Sequence, residues 1–119
     1  MKAGDTFLGG GEVHGKDHLW LVINDPAAHA GVALIVNIST LRPDAETTCL
    51  VRRGEQTFLR DDSYVRYGGA RKAEVTDLAE AVKKGLLKPH QPASRIFLEK
   101  VRAGAKASPL LAQELRALL

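Results

Sequence analysis

A chain of 119 residues, 45% hydrophobic and 26% charged, has the size and make-up of one globular domain with its own core. No apolar run approaches the roughly 20 residues that span a bilayer, and residues 1–5 carry no apolar leader, so a soluble cytoplasmic protein with no membrane partner is expected. The single cysteine, Cys49, excludes an internal disulfide and a cysteine-based zinc cluster.

The net charge of +3 is unevenly spread. Residues 1–62 carry six Lys or Arg against nine Asp or Glu, and residues 63–119 carry eleven against five, a change from −3 to +6. A basic second half suits a polyanion such as nucleic acid, although helix surfaces rich in Lys and Arg are more often only solvated.

In chain order, Thr6-Phe7-Leu8 predicts a short strand that Gly9-Gly10-Gly11 closes. Residues 18–23 are apolar on both alternating faces, the pattern of a central strand covered on two sides, and Asn24-Asp25-Pro26 ends it with turn chemistry. Residues 32–38 are the clearest strand: Val32, Leu34, Val36 and Ile38 share one face, and Ala33, Ile35, Asn37 and Ser39 the other. Residues 47–52 and 56–60 flank Gly54-Glu55 as a hairpin, and residues 63–67 form a further strand ended by Gly68-Gly69.

The pattern then turns helical. Thr76 is placed to cap a helix running to Gly85, with Leu78, Ala79, Val82 and Leu86 on one stripe. Asp77 near its start and Lys83 and Lys84 near its end suit the helix dipole. Around residues 94–103, Ile96, Phe97 and Val101 form an inner face opposite Arg95, Glu99 and Arg102. Ser108-Pro109 reads as a cap and first turn, after which Leu111, Leu115 and Leu118 line one side of a last helix. The expected architecture is one α+β domain, residues 1–73 mainly strands and residues 74–119 mainly helical. So many short strands in so small a chain must curl into a small antiparallel barrel or pack helices on one face.

Several landmarks follow one another in a telling order. Gly4-Asp5-Thr6-Phe7-Leu8 precedes a glycine-containing stretch that carries Lys16. Leu19-Trp20-Leu21-Val22-Ile23-Asn24-Asp25 comes next, then Ala33-Leu34-Ile35-Val36-Asn37-Ile38 running into Ser39-Thr40. Ser63-Tyr64-Val65-Arg66-Tyr67 stands ahead of the first helix. This order resembles the MazF/PemK-like toxin family over residues 4–85, with residues 90–119 beyond it as an added element. The family's loop presents Arg then Pro, where this chain has Lys16-Asp17-His18 and no arginine before Asn37. The resemblance implies a small SH3-like barrel and a toxin–antitoxin endoribonuclease that cleaves single-stranded RNA without metal or other cofactor. An antitoxin protein and a second copy of the chain are the partners it implies.

Metal-independent RNA cleavage uses the 2′-hydroxyl as nucleophile and needs a base, an acid and cationic donors around the phosphate. On that logic the loop holding His14, Lys16 and His18 faces Ser39-Thr40 across a meander of the first three strands. His18 or Lys16 takes the part of the family's loop arginine, and Thr40 or Ser39 donates to the phosphate. His14, Arg42 and Arg66 are placed to bind substrate, with Tyr64 and Tyr67 as stacking candidates near Arg66 and Arg71.

Each residue also has a plainer reading. The histidines and Lys16 suit a solvated loop, Ser39 and Thr40 suit turn hydrogen bonds, and the tyrosines suit cross-strand packing. Trp20, between Leu19 and Leu21, is expected in the core, and Cys49 as a buried inert thiol. His14, Asp17 and His18 have ligand chemistry, but the surrounding glycines make a loop that fixes no metal geometry. The competing functional class is a barrel module that holds a protein or nucleic acid without chemistry. The absent loop arginine and the amphipathic last third point that way.

Overall fold

The computed structural model describes residues 1–10, 18–56 and 59–119. Strands β1 (Thr6–Gly9), β2 (His18–Val22) and β3 (Val32–Thr40) form the expected meander, in register Phe7 to Trp20 and Trp20 to Asn37. β5 (Ser63–Glu74) pairs with the outer side of β3, β4 (Leu50–Val51) with β5, and β6 (Leu87–His90) with β1. Every ladder is antiparallel, in the order β4-β5-β3-β2-β1-β6. Among the described residues no ladder joins β4 to β6, so the sheet is not closed into a barrel. With α1 (Val75–Lys83), α2 (Arg95–Ala107) and α3 (Gln113–Arg116), the domain is α+β.

The alternation in β3 explains why the sheet stays open. Leu34, Val36 and Ile38 join Leu19, Leu21 and Ile23 in a core that Phe97, Val101 and Ala105 of α2 cover, with Leu111 and Leu115. Ala33 and Ile35 point the other way and join Phe7, Val22 and Leu78 of α1. Helices therefore cover both faces, where helices on one face or a barrel were expected. Each buried Leu, Val or Phe contributes about 1.5–3 kcal/mol, so residues 90–119 are part of the main core and not an appendage.

The turn after β2 follows from its residues. Asn24 Oδ1 accepts from Leu34 N (2.7 Å), its Nδ2 donates to Val32 O (3.0 Å), and Asp25 Oδ1 accepts from Ala27 N (3.2 Å). At the other end of the chain Ser94 caps α2, its Oγ accepting from Phe97 N (3.2 Å) and from Gln56 Nε2 (2.9 Å).

Other expectations are corrected. Of the hairpin expected over residues 47–60, the described residues show strand only at Leu50–Val51, which pairs with Tyr64 and Ser63. Local bonds take the ladder's place, with Glu55 accepting from Arg52 N (2.5 Å) and Asp62 from Arg53 N (2.8 Å). Thr57 and Phe58 lie outside the described residues. Gly68-Gly69 does not end β5. The strand runs on to Glu74 through an irregularity, since Asn37 opposes Arg66 while Ile35 opposes Arg71. Residues 67–70 thus face the single residue Val36, a large bulge that the two glycines accommodate.

Helix boundaries shift for similar reasons. α1 begins at Val75 with Glu74 at its cap and no side-chain capping bond, so Thr76 is not the cap. Leu86 of the proposed stripe is 57% exposed, and Ile96 of α2 is 83% exposed, leaving Phe97, Val101 and Ala105 inside. Of the charges spaced to pair along α2, Arg95 meets Glu99 (3.2 Å), while Arg102 donates to Ile23 O. Ser108 ends α2, its N–H donating to Gly104 O (2.8 Å) and its Oγ accepting from Leu110 N (3.1 Å). The Arg116 fork holds the free carbonyls there, donating to Ala105 O, Lys106 O and Ser108 O. β6, inside the stretch expected to be helical, tolerates Pro89 because it is an edge strand.

One ion pair makes stability depend on acid. Lys100 Nζ lies 2.7 Å from Glu55 Oε1, with side chains 39% and 33% exposed. That hydrogen bond, the largest effect, holds the Glu55 carboxyl below its usual value. A lowered folded pKa gives stability that is full above the unfolded value, near 4.3, and is lost as pH falls through the folded one. Glu55→Gln is therefore expected to cost at most about 1 kcal/mol at neutral pH after allowance for screening. Urea titrations of both proteins should converge once the pH falls below the folded value of Glu55.

Candidate functional site

α1 packs over only part of its face of the sheet. Leu78 covers Phe7, Val22, Ala33 and Ile35, all toward one end of the strands. The same strands continue past it, with His18 and Trp20 of β2, Asn37 of β3 and Arg66 of β5 on that face by alternation. There a cleft of about 340 Å³ opens, floored by these side chains and walled by Gly10 and the bulge residues Gly68, Gly69, Ala70 and Arg71.

The cleft is cationic. Arg66 and Arg71 are exposed, and among the described residues neither forms an ion pair. The Arg71 guanidinium lies over the Trp20 ring, 5.3 Å from its centre, and the His18 ring meets that indole edge-on at 6.3 Å. Asn37 is buried beneath them, its Oδ1 accepting from Ser39 Oγ (2.5 Å) and its Nδ2 donating weakly to Leu19 O (3.5 Å). The bulge is fixed from behind by Glu46, whose two carboxylate oxygens accept from Tyr67 N (2.8 Å) and Gly68 N (3.1 Å). The missing side chain at Gly69 leaves room for Arg66, whose guanidinium carbon lies 3.5 Å from where a Cβ would stand.

A smaller pocket of about 190 Å³ adjoins the first and shares Gly10, Trp20 and Arg71 with it. Its remaining walls are apolar: Phe7, Ile35, Leu78 and Leu87.

Of the side chains singled out in the sequence, His18 and Arg66 meet in this cleft. Ser39 touches it only through Asn37, and Thr40 is exposed at the far end of β3, opposite Ser63. Arg42 pairs with Asp44 (3.0 Å) and lies 6.0 Å from the centre of the Tyr64 ring, outside the cleft. His14 and Lys16 lie outside the described residues, although Gly10 and His18, which bracket their segment, both line the cleft. Tyr64 and Tyr67 are 2% and 1% exposed, so neither offers a ring face to a base. Tyr67 instead donates its hydroxyl to Val101 O (2.7 Å), and burial raises its pKa far above the usual phenol value. The aromatic ring at the cleft is Trp20, only half buried where full core burial was expected. Arg71 completes the cleft, and its mark in the sequence is the Arg66–Gly68–Gly69–Arg71 spacing, two cations around a bend.

Cys49 is 3% exposed on the opposite face, and burial, the main effect, pushes its thiol pKa up. A disulfide reagent such as DTNB is expected to react with it only on unfolding, so labelling in urea should track loss of secondary structure. Fast labelling of the native chain would contradict this packing.

Scanned against protein-family models, the chain matches none, and a search of curated proteins likewise finds no match.

Proposed function

We propose that this chain is a metal-independent endoribonuclease of toxin–antitoxin type acting on single-stranded RNA, its open sheet a divergent form of the small SH3-like barrel of MazF/PemK-like proteins. The observation that carries the reading is the meeting of His18 in one cleft with Arg66 and Arg71, neither of which forms an ion pair among the described residues. Imidazole transfers protons near neutral pH, and two guanidiniums can bind the phosphate oxygens on which negative charge grows.

In this reaction the 2′-oxygen forms a bond to phosphorus while the bond from phosphorus to the 5′-oxygen breaks. The base takes the 2′-hydroxyl proton, and the acid gives one to the departing 5′-oxygen, leaving a 2′,3′-cyclic phosphate and a 5′-hydroxyl. His18 is assigned one of these transfers and Lys16 the other. Ser39 orders the cleft through Asn37, while Thr40 and Arg42 are assigned to a flanking phosphate. An antitoxin that blocks the cleft, a homodimer and a cytoplasmic location belong to the same reading.

A second reading, binding without chemistry, is favoured by the position of Thr40 outside the cleft. Incubating purified protein with single-stranded RNA in excess EDTA separates the two. Cleavage that leaves cyclic phosphate ends, and that 2′-O-methyl substitution of the RNA abolishes, is expected. Intact RNA after incubation with folded protein over a wide pH range would leave only the binding module.

A further inference from the structure

We infer that the cleft and the apolar pocket beside it form a single nucleotide subsite, in which Trp20 carries an unpaired base while Arg66 and Arg71 hold its phosphate across the Gly68-Gly69 bulge. The inference rests on the reading of this face as the RNA site and assigns how one nucleotide is seated there.

A nucleotide joins a flat, largely apolar ring to an anionic phosphate, so its site needs an apolar wall within a few ångströms of cations. The two pockets supply that pairing, because Trp20 and Arg71 belong to both. On one side of them lie Phe7, Ile35, Leu78 and Leu87, and on the other His18, Asn37 and Arg66. The Arg71 guanidinium lies over the indole, 5.3 Å from its centre, so the base is seated against the part of Trp20 that lines the apolar pocket while the Arg71 N–H groups turn toward the phosphate. The missing side chain at Gly69 lets Arg66 lie over the bulge, its guanidinium carbon 3.5 Å from where a Cβ would stand, so its charge sits across the bend on the same side as Arg71.

Glu46 makes this arrangement stiff. By accepting from two successive amides of the bulge, it fixes the spacing between Arg66 and Arg71 from the side away from the ligand. Single-strand selectivity follows as well. A base paired in a duplex presents only its edge, whereas stacking on Trp20 needs an open ring face.

Trp20 is the chain's only tryptophan, so intrinsic fluorescence reports on this subsite alone. The full chain is titrated with a 2′-O-methyl oligonucleotide, which cannot be cut, with the same sequence as a duplex, and with inorganic phosphate. Quenching by the single strand, about tenfold tighter than by the duplex, is expected. Arg66→Ala and Arg71→Ala should each weaken binding and lower the salt slope by about 0.7, the share of one neutralised phosphate on a single strand. Trp20→Ala, followed by anisotropy of a labelled strand and checked by circular dichroism, should weaken binding about tenfold, within the range for one stacked base, and Trp20→Phe, which keeps a ring, should weaken it less.

Equal quenching by duplex, quenching by phosphate as strong as by the oligonucleotide, or binding with no change at Trp20 would each overturn the subsite. Binding that quenches Trp20 without any cleavage supports the subsite and removes the nuclease reading. Cleavage without quenching does the reverse.

Discussion

Gly104→Ala is expected to destabilise the domain by about 2–3 kcal/mol, the cost of overpacking a tight core site. On a helix the same change ordinarily stabilises, by about 1 kcal/mol, because alanine is the better helix former. The sign reverses here because of what α2 touches. A Cβ at position 104 would fall well inside van der Waals contact with Tyr67 Oη, 3.0 Å from Tyr67 Cζ and 3.1 Å from Cys49 Cβ. The tyrosine cannot swing away, being 1% exposed and held by its bond to Val101 O.

Urea unfolding measures the destabilisation, and a second substitution locates it. Tyr67→Phe alone forfeits one hydrogen bond, worth about 1 kcal/mol. Combined with Gly104→Ala it removes the atom in closest conflict, so the double variant should be more stable than the two separate effects added together predict. A Gly104→Ala protein as stable as wild type would mean that α2 does not lie this close to β5.

His18→Ala is expected to lower the rate of RNA cleavage by about 10²–10⁴-fold, the usual contribution of a positioned acid or base. The residue begins β2, half buried beside Trp20, and among the described residues no ion pair employs it in folding. Removal should therefore leave the urea midpoint nearly unchanged. The fall should appear in kcat with little change in KM, because the imidazole is assigned to proton transfer, and Trp20 quenching by the uncut strand should persist. Arg66→Ala should raise KM as well as lower kcat, since its charge binds the phosphate from the start and also the negative charge that grows on it. Equal cleavage by wild type and His18→Ala would remove the imidazole from the reaction and return the proton transfers to other groups.

These two sites differ in how far the sequence reveals them. The alternation in residues 32–38 predicts the strand and which residues share each of its faces, and the Asn24-Asp25-Pro26 turn follows from side chains that bond their own backbone. Alternation shows which face a residue takes but not what covers it. Trp20 looks like a core residue, and it borders a cleft only because α1 stops short of it. Gly68-Gly69 looks like a strand end by local rules, and the pairing of β3 with both Arg66 and Arg71 turns it into a bulge. Leu87-Lys88-Pro89-His90 has no strand signal of its own, and the free edge of β1 imposes one. In each case the deciding partner lies far away in the chain.

The pairing of β1 with β6 also bears on how the protein is made. The edge of β1 has no partner until His90 is available, and Gly4 O waits for Ala93 N. About fifty residues separate Thr40 from His90, some 3–10 seconds of synthesis at about 5–20 residues per second. Through that interval the Leu21, Leu34 and Val36 underside of the meander that carries His18 and Trp20 still lacks Phe97, Val101, Leu111 and Leu115. The nascent chain is then a sticky hairpin pair without a finished core. Under the proposed nuclease function, this order of events keeps the cleft from setting firmly while most of its own message is still being read.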